Sequence, residues 1–247
     1  MRHREALQSL REVCQLLEHH DVLPRDQGRD VTPELDTVDR RASKKLNRPE
    51  DWAIKVTTEH PLTVTCVDDK TKHLRVDVSG VCPAPQDGRP GEGHSVTIRV
   101  WSTRESDWHD PNRDHPDLVK TIHSQGKGRV MVRVRFDKED EKGSGPWSHL
   151  QVGGKPGANE FCPFPPPGFN YPSFLHPPMD FVLALEFVTK TFCESAYEEV
   201  KNEEVWRAAV CQSQREYTSA YFDRLRMANR VKDMTSSLLE HCWACPV

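Results

Sequence analysis

The apolar positions of this chain follow two periods, and the changes from one to the other mark out its elements. Leu7, Leu10, Cys14 and Leu17 recur at steps of three and four, which predicts an amphipathic helix over residues 4–20. Leu35, Val38, Ala42 and Leu46 repeat that spacing behind Thr32-Pro33-Glu34, a helix start with Thr32 as N-cap and Pro33 in the first turn. From Trp52 the period becomes two. Ile54 and Val56 alternate with Lys55 and Thr57; Leu62, Val64 and Cys66 alternate with Thr63 and Thr65. Asp68-Asp69-Lys70-Thr71 gives a turn, and Leu74, Val76 and Val78 follow with Arg75 and Asp77 opposite. Val96, Ile98 and Val100 come after a Pro- and Gly-rich loop at 83–93, and Val130, Val132, Val134 and Phe136 after a second loop at 102–128. Leu150 and Val152 add a short last run. Consecutive alternating runs of this kind predict an antiparallel sheet of five or six strands with one buried face.

The helical period returns after His176-Pro177-Pro178. Phe181, Leu185, Val188 and Phe192 keep helical spacing, while Val182, Leu183 and Phe187 widen the stripe. A helix from Met179 to Cys193 that is apolar on most of its circumference is one that other elements pack around. Pro178 suits its first turn, and Asp180 and Lys190 match the helix dipole. Asn202 with Glu203 and Glu204 marks a further start, and Trp206, Val210, Tyr217, Tyr221 and Leu225 predict a long helix with an aromatic face. A final helix at about 231–240 leads into a Cys-rich tail. Residues 153–178 are rich in Gly and Pro, yet Phe161, Phe164, Phe169, Tyr171 and Phe174 make them an ordered extended strap.

The fold class expected is therefore α+β: N-terminal helices, an antiparallel β-meander, and a C-terminal helical layer packed on the sheet. The chain divides into residues 1–31, an amphipathic helix and linker; 32–230, the α+β domain; and 231–247, the last helix and tail. Within the domain the sheet takes 52–152, the strap 153–178 and the helices 179–230. The polar, turn-rich stretch Asp21–Val31 sets the first helix off as a separable arm.

Composition narrows the function classes. A formal charge of −4 argues against a generally basic nucleic-acid binder. No apolar run reaches membrane-spanning length, and Met-Arg-His-Arg-Glu leads into an amphipathic helix and not a signal peptide's apolar core, which places the chain in the cytoplasm. Eight cysteines without regular spacing then read as reduced thiols.

Several clusters hold candidate chemistry, each with a plainer reading beside it. Cys242-Trp-Ala-Cys245 next to His241 is a single Cys-x-x-Cys, and a structural zinc site would need two distant ligands such as Cys193 and Cys211. Packing of Trp243 with two incidental thiols explains it better. His109, Asp114 and His115, with His123 further on, put metal-ligand side chains in one loop, as a metal-dependent nuclease would. Asp, Asn and Pro there are also ordinary turn residues. Arg75, Arg99, Arg133 and Arg135 share the polar side of the sheet and would bind an anionic ligand if the strands align them. Asp77, Asp137, Glu139, Asp140 and Glu141 oppose that, so a solvated face with cross-strand ion pairs is the better reading.

Cys162 is the most interesting thiol. It lies in the order His149-Leu-Gln-Val-Gly-Gly154, Glu160-Phe-Cys162, Pro177-Pro178 and then the central helix. In layout, residues 32–230 resemble the ubiquitin-conjugating enzyme fold, which runs from a helix through an antiparallel meander to a His-containing stretch, a cysteine and a proline-led helix. The resemblance implies a modifier or acyl group carried on Cys162, with His149 in the histidine-bearing stretch. The family's His-Pro-Asn tripeptide is absent, since Leu and Gln follow His149, and oxyanion stabilisation goes with it. Between Phe161 and Pro163, Cys162 otherwise reads as a small buried apolar residue.

No motif with catalytic spacing outweighs its plainer reading. The leading expectation is a non-catalytic cytoplasmic interaction protein, an adaptor or subunit of a larger assembly, with another protein as partner, no cofactor, no membrane and no nucleic acid. The alternatives are a ubiquitin-conjugating-type protein acting through Cys162, and a metal-dependent nuclease or nucleic-acid binder.

Overall fold

The computed structural model describes residues 3–24, 53–65, 71–83, 93–104, 129–138, 148–153, 174–219, 221–223 and 226. Among the described residues seven strands form one antiparallel sheet: β1 (Ala53–Val56), β2 (Leu62–Thr65), β3 (Leu74–Pro83), β4 (Ser95–Ser102), β5 (Arg129–Lys138), β6 (Ser148–Val152) and β7 (Phe174–Leu175). Their order is β1-β3-β4-β5-β6-β7. The long strand β3 carries two partners on one side, with β2 along Arg75–Val78 and β1 along Gly80–Pro83. The helices are α1 (His3–His19), α2 (Phe181–Phe192), α3 (Glu194–Val200) and α4 (Glu204–Ser213), which runs on as a π-helical turn over Gln214–Ser219. The class is α+β, as the two periods predict. The pattern did not separate β7 from the strap, because a two-residue strand has no period to detect.

Gly80 stands where β3 passes from one partner to the other. Its φ of 149° lies in a region that side chains disfavour, and a Cβ there would meet the Ser95 carbonyl oxygen at 2.0 Å. Only glycine lets β3 and β4 approach this closely.

One face of the sheet is the apolar core. Val64, Val76, Val78, Val96, Ile98, Val100 and Phe136 are buried there, and α2 lies on β3 and β4. Phe181, Val182, Leu183, Leu185 and Val188 of α2 are buried with them. Full burial of each such side chain contributes roughly 1.5–3 kcal/mol. Phe187, expected to widen the stripe, is 41% exposed, so the outer side of α2 is free of the core. Cys193 is buried and breaks the helix: it ends α2 and begins α3 at φ −131°, ψ 60°.

The first helix is not an arm. Leu7, Leu10, Val13, Cys14 and Leu17 are buried in the same core cluster, against α4 and α2. After the helix Asp21 takes a left-handed φ of 55°, and the Val22 N–H returns to the Leu17 carbonyl at 2.9 Å. The Val22 carbonyl then accepts the Thr65 N–H at 2.9 Å, which ties the end of α1 to β2. An apolar stripe this continuous has to be covered, and linker polarity does not decide by what.

The second face of the sheet was expected to be solvated; its centre is not, while Arg75 and Arg135 stay partly exposed. Thr63, Asp77, Ser79, Thr97, Arg99 and His149 are all buried. Alternation of polar and apolar residues distinguishes the two faces but does not say that the polar one meets water; polar side chains that satisfy one another can be covered too. The helix at Thr32–Leu46, the strap before Phe174 and the tail after 226 lie outside the described residues. No helix among the described residues is long and apolar enough to cross a membrane.

Candidate functional site

The register brings the predicted arginines together. Asp77, Arg99 and Arg133 stand in one row across β3, β4 and β5, and Arg135 lies between Thr97 and Gln151. Two arginines directly opposite one another repel unless an acid shares the row. Asp77 does, on the far side of Arg99. Asp77 is held by Arg75, whose Nε and Nη2 donate to Oδ1 and Oδ2 at 3.0 and 3.1 Å, and by the Thr63 hydroxyl at 2.7 Å. Arg99 donates through Nη1 to the Ser79 hydroxyl at 2.9 Å. Arg135 pairs with Asp137, which also accepts from the Ser95 hydroxyl at 2.6 Å.

Ion pairing was expected across strands, but the two Arg–Asp pairs run along them, from residue i to i+2. Side chains two apart share a face and can close a bidentate fork within one strand, which leaves hydroxyls for the cross-strand bonds. Arg75 and Arg135 bind the protein's own acids, and Arg99 is buried on a serine hydroxyl. This arrangement holds strands together.

His149 is buried on β6 opposite Asp137. Cys162, His109, Asp114, His115, His123, His241, Cys242 and Cys245 lie outside the described residues. Among the described residues there is no group of three or more His, Cys, Asp or Glu that could hold a metal ion. Cys193 is buried and Cys211 exposed, and neither is in a disulfide.

A second polar cluster escaped the pattern. Asp180 precedes α2 as its N-cap: Oδ1 accepts the Leu183 N–H at 2.9 Å, and Oδ2 accepts the Ser213 hydroxyl at 2.7 Å. Ser213 is the last residue of α4, and from there the π-helical turn carries Tyr217 inward. The Tyr217 ring lies 5.9 Å from that of His94, whose Nε2 donates to the Met179 carbonyl at 3.0 Å. Cys82 of β3 lies beneath. A cavity of about 20 Å³ is lined by Ser9, Cys82, Asp180, Ser213, Glu216 and Tyr217, enough for one water molecule. Ser9 and Gln212 also line an open groove with Glu5 and Gln8, so the cavity's approach runs between α1 and α4.

Burial governs the acid–base chemistry here. It pushes the Asp180 carboxyl up to about 6, opposed by the Leu183 and Ser213 bonds and reinforced by Glu216. The Cys82 thiol is raised well above its usual range by burial and then by Asp180, and Tyr217 likewise. Cys14 is pushed up to about 12. Such thiols stay protonated and behave as small apolar residues. Its place in the sequence shows Asp180 only as a favourable charge on the helix dipole. The groups around it come from β3, the residue before β4, α1, α4 and the π-helical turn, and no local spacing links them.

Compared with protein-family models, with curated proteins and with solved structures, the chain matches none.

Proposed function

We propose that this chain is a non-catalytic interaction protein of the cytoplasm, an adaptor or subunit whose partner is another protein. The observation that carries this reading is a division of side chains between inside and outside. Inside, the Arg75–Asp77 and Arg135–Asp137 pairs and the Asp180–Ser213 bond hold the fold together. Outside, the C-terminal helical layer gives large apolar side chains to solvent: Phe187 of α2, Val205 of α4 and Phe222 beyond the π-helical turn, the last 54% exposed. A single exposed apolar residue is ordinary on any surface. Two phenylalanines on one layer are the residue type that protein interfaces concentrate. The buried free thiols suit a reducing compartment. Pairing of Arg75 and Arg135 with the chain's own acids, together with the net charge of −4, weighs against nucleic acid.

The test is size-exclusion of gently cross-linked cell extract containing the tagged full chain. The wild type should elute well above its own 28.3 kDa, and a Phe187→Ser, Phe222→Ser variant with unchanged melting should fall back to that mass. Elution of the wild type as the lone chain, or no change in the variant, overturns the proposal.

A further inference from the structure

Asp180 joins two elements that are distant in sequence, and among the described residues its hydrogen bonds come from neutral donors: the Leu183 and Val182 N–H groups and the Ser213 hydroxyl. The groups facing it come from every element packed around it. Cys82 lies on β3; Tyr217 and Glu216 lie on the π-helical turn; His94 precedes β4 with Nε2 committed to the Met179 carbonyl; Glu5 of α1 adds negative charge near Glu216. Of the described side chains in this set, His94 alone is able to carry a positive charge.

We propose that the Asp180 carboxyl is a proton-operated clasp: neutral, it holds the junction of α4 and the π-helical turn against the start of α2, and ionised, it draws water into the neighbouring cavity and loosens that turn.

The chemistry on both sides is simple. In the neutral form one oxygen still accepts the Leu183 N–H, while the acid O–H donates to Ser213 Oγ, whose own proton turns away. When the proton leaves to water through the cavity, both oxygens become acceptors and a full charge stands beside Glu216. A carboxylate without a cation is costly away from bulk water, so it recruits a hydration shell. The cavity beside it has room for one molecule, and more must come at the expense of packing. The element that yields is the π-helical turn, a rare pattern often found at functional positions. A carboxyl raised to about 6 places the change near neutral pH.

The test is hydrogen exchange of the full chain by mass spectrometry between about pH 5 and 8, corrected for intrinsic exchange. Protection of residues 214–223 in the wild type should fall about tenfold as pH rises through the transition. Asp180→Asn keeps the N-cap and cannot ionise, so its protection should show no pH transition. Ser213→Ala, with one donor fewer to the carboxylate, should move the midpoint upward. His94→Gln should keep the transition. A flat profile in the wild type, a transition that survives in Asp180→Asn, an unmoved midpoint in Ser213→Ala, or a transition lost in His94→Gln overturns the clasp.

Discussion

Asp77 and Asp180 are both carboxylates drawn away from water, and the fold treats them in opposite ways. Asp77, 4% exposed, has a bidentate arginine from its own strand and a threonine hydroxyl from the next. Asp180 has a backbone N–H, a serine hydroxyl and a neighbouring glutamate. The contrast separates structural charge from adjustable charge. A paired ion pins its strands; a carboxyl held by neutral donors and raised to about 6 exists in either state, and its surroundings choose. Linkage gives the sign. Folding raises the Asp180 carboxyl from its usual 3.8 to about 6, so the folded state binds the proton more tightly. The stability this contributes is complete below 3.8 and is lost as pH rises through about 6.

The comparison is broken most severely at Gly80, which lies on β3 between Asp77 and Ser79 on one side and Cys82 on the other. Gly80→Ala puts a Cβ against the Ser95 carbonyl and removes the glycine-only conformation, so both clusters should fail together. The expected loss is at least ~3 kcal/mol in chemical unfolding, or no folded protein. A loss below ~1 kcal/mol would mean that β3 and β4 shift freely there. The next largest effect sharpens the contrast. Arg75→Leu leaves the Asp77 carboxylate with its charge half-answered, at a cost of about 2–4 kcal/mol in urea unfolding at neutral pH. Asp180→Asn, which deletes a charge that no described cation pairs, should cost less than ~1 kcal/mol there or stabilise. Equal losses in the two variants would erase the distinction.

Much of the architecture could be read from spacing. The α2 stripe of Phe181, Leu185 and Val188, the alternating runs and the aromatic face of Trp206, Val210 and Tyr217 each reflect a period that one element imposes on its own residues. What failed to show depends on contacts between elements. The sequence could not tell that α1 would be covered, that Thr63 and Arg99 would be buried beside their partners, or that α4 would turn into a π-helix at Ser213. The site was less legible than the fold. Arg75, Arg99, Arg133 and Arg135 were found because they alternate on neighbouring strands. The Asp180 cluster was not, since Asp180, Ser213, Cys82 and His94 share no spacing. The one local signal was an aspartate directly after His176-Pro-Pro-Met, at the point where a helix needs a cap.

The most direct measurement is a carbon-detected magnetic resonance titration of the Asp180 side-chain carboxyl in the folded chain. The account predicts a midpoint near 6, shifted further upward in Ser213→Ala. A midpoint at or below about 4, the range of an ordinary aspartate, would contradict it and make Asp180 a simple helix cap.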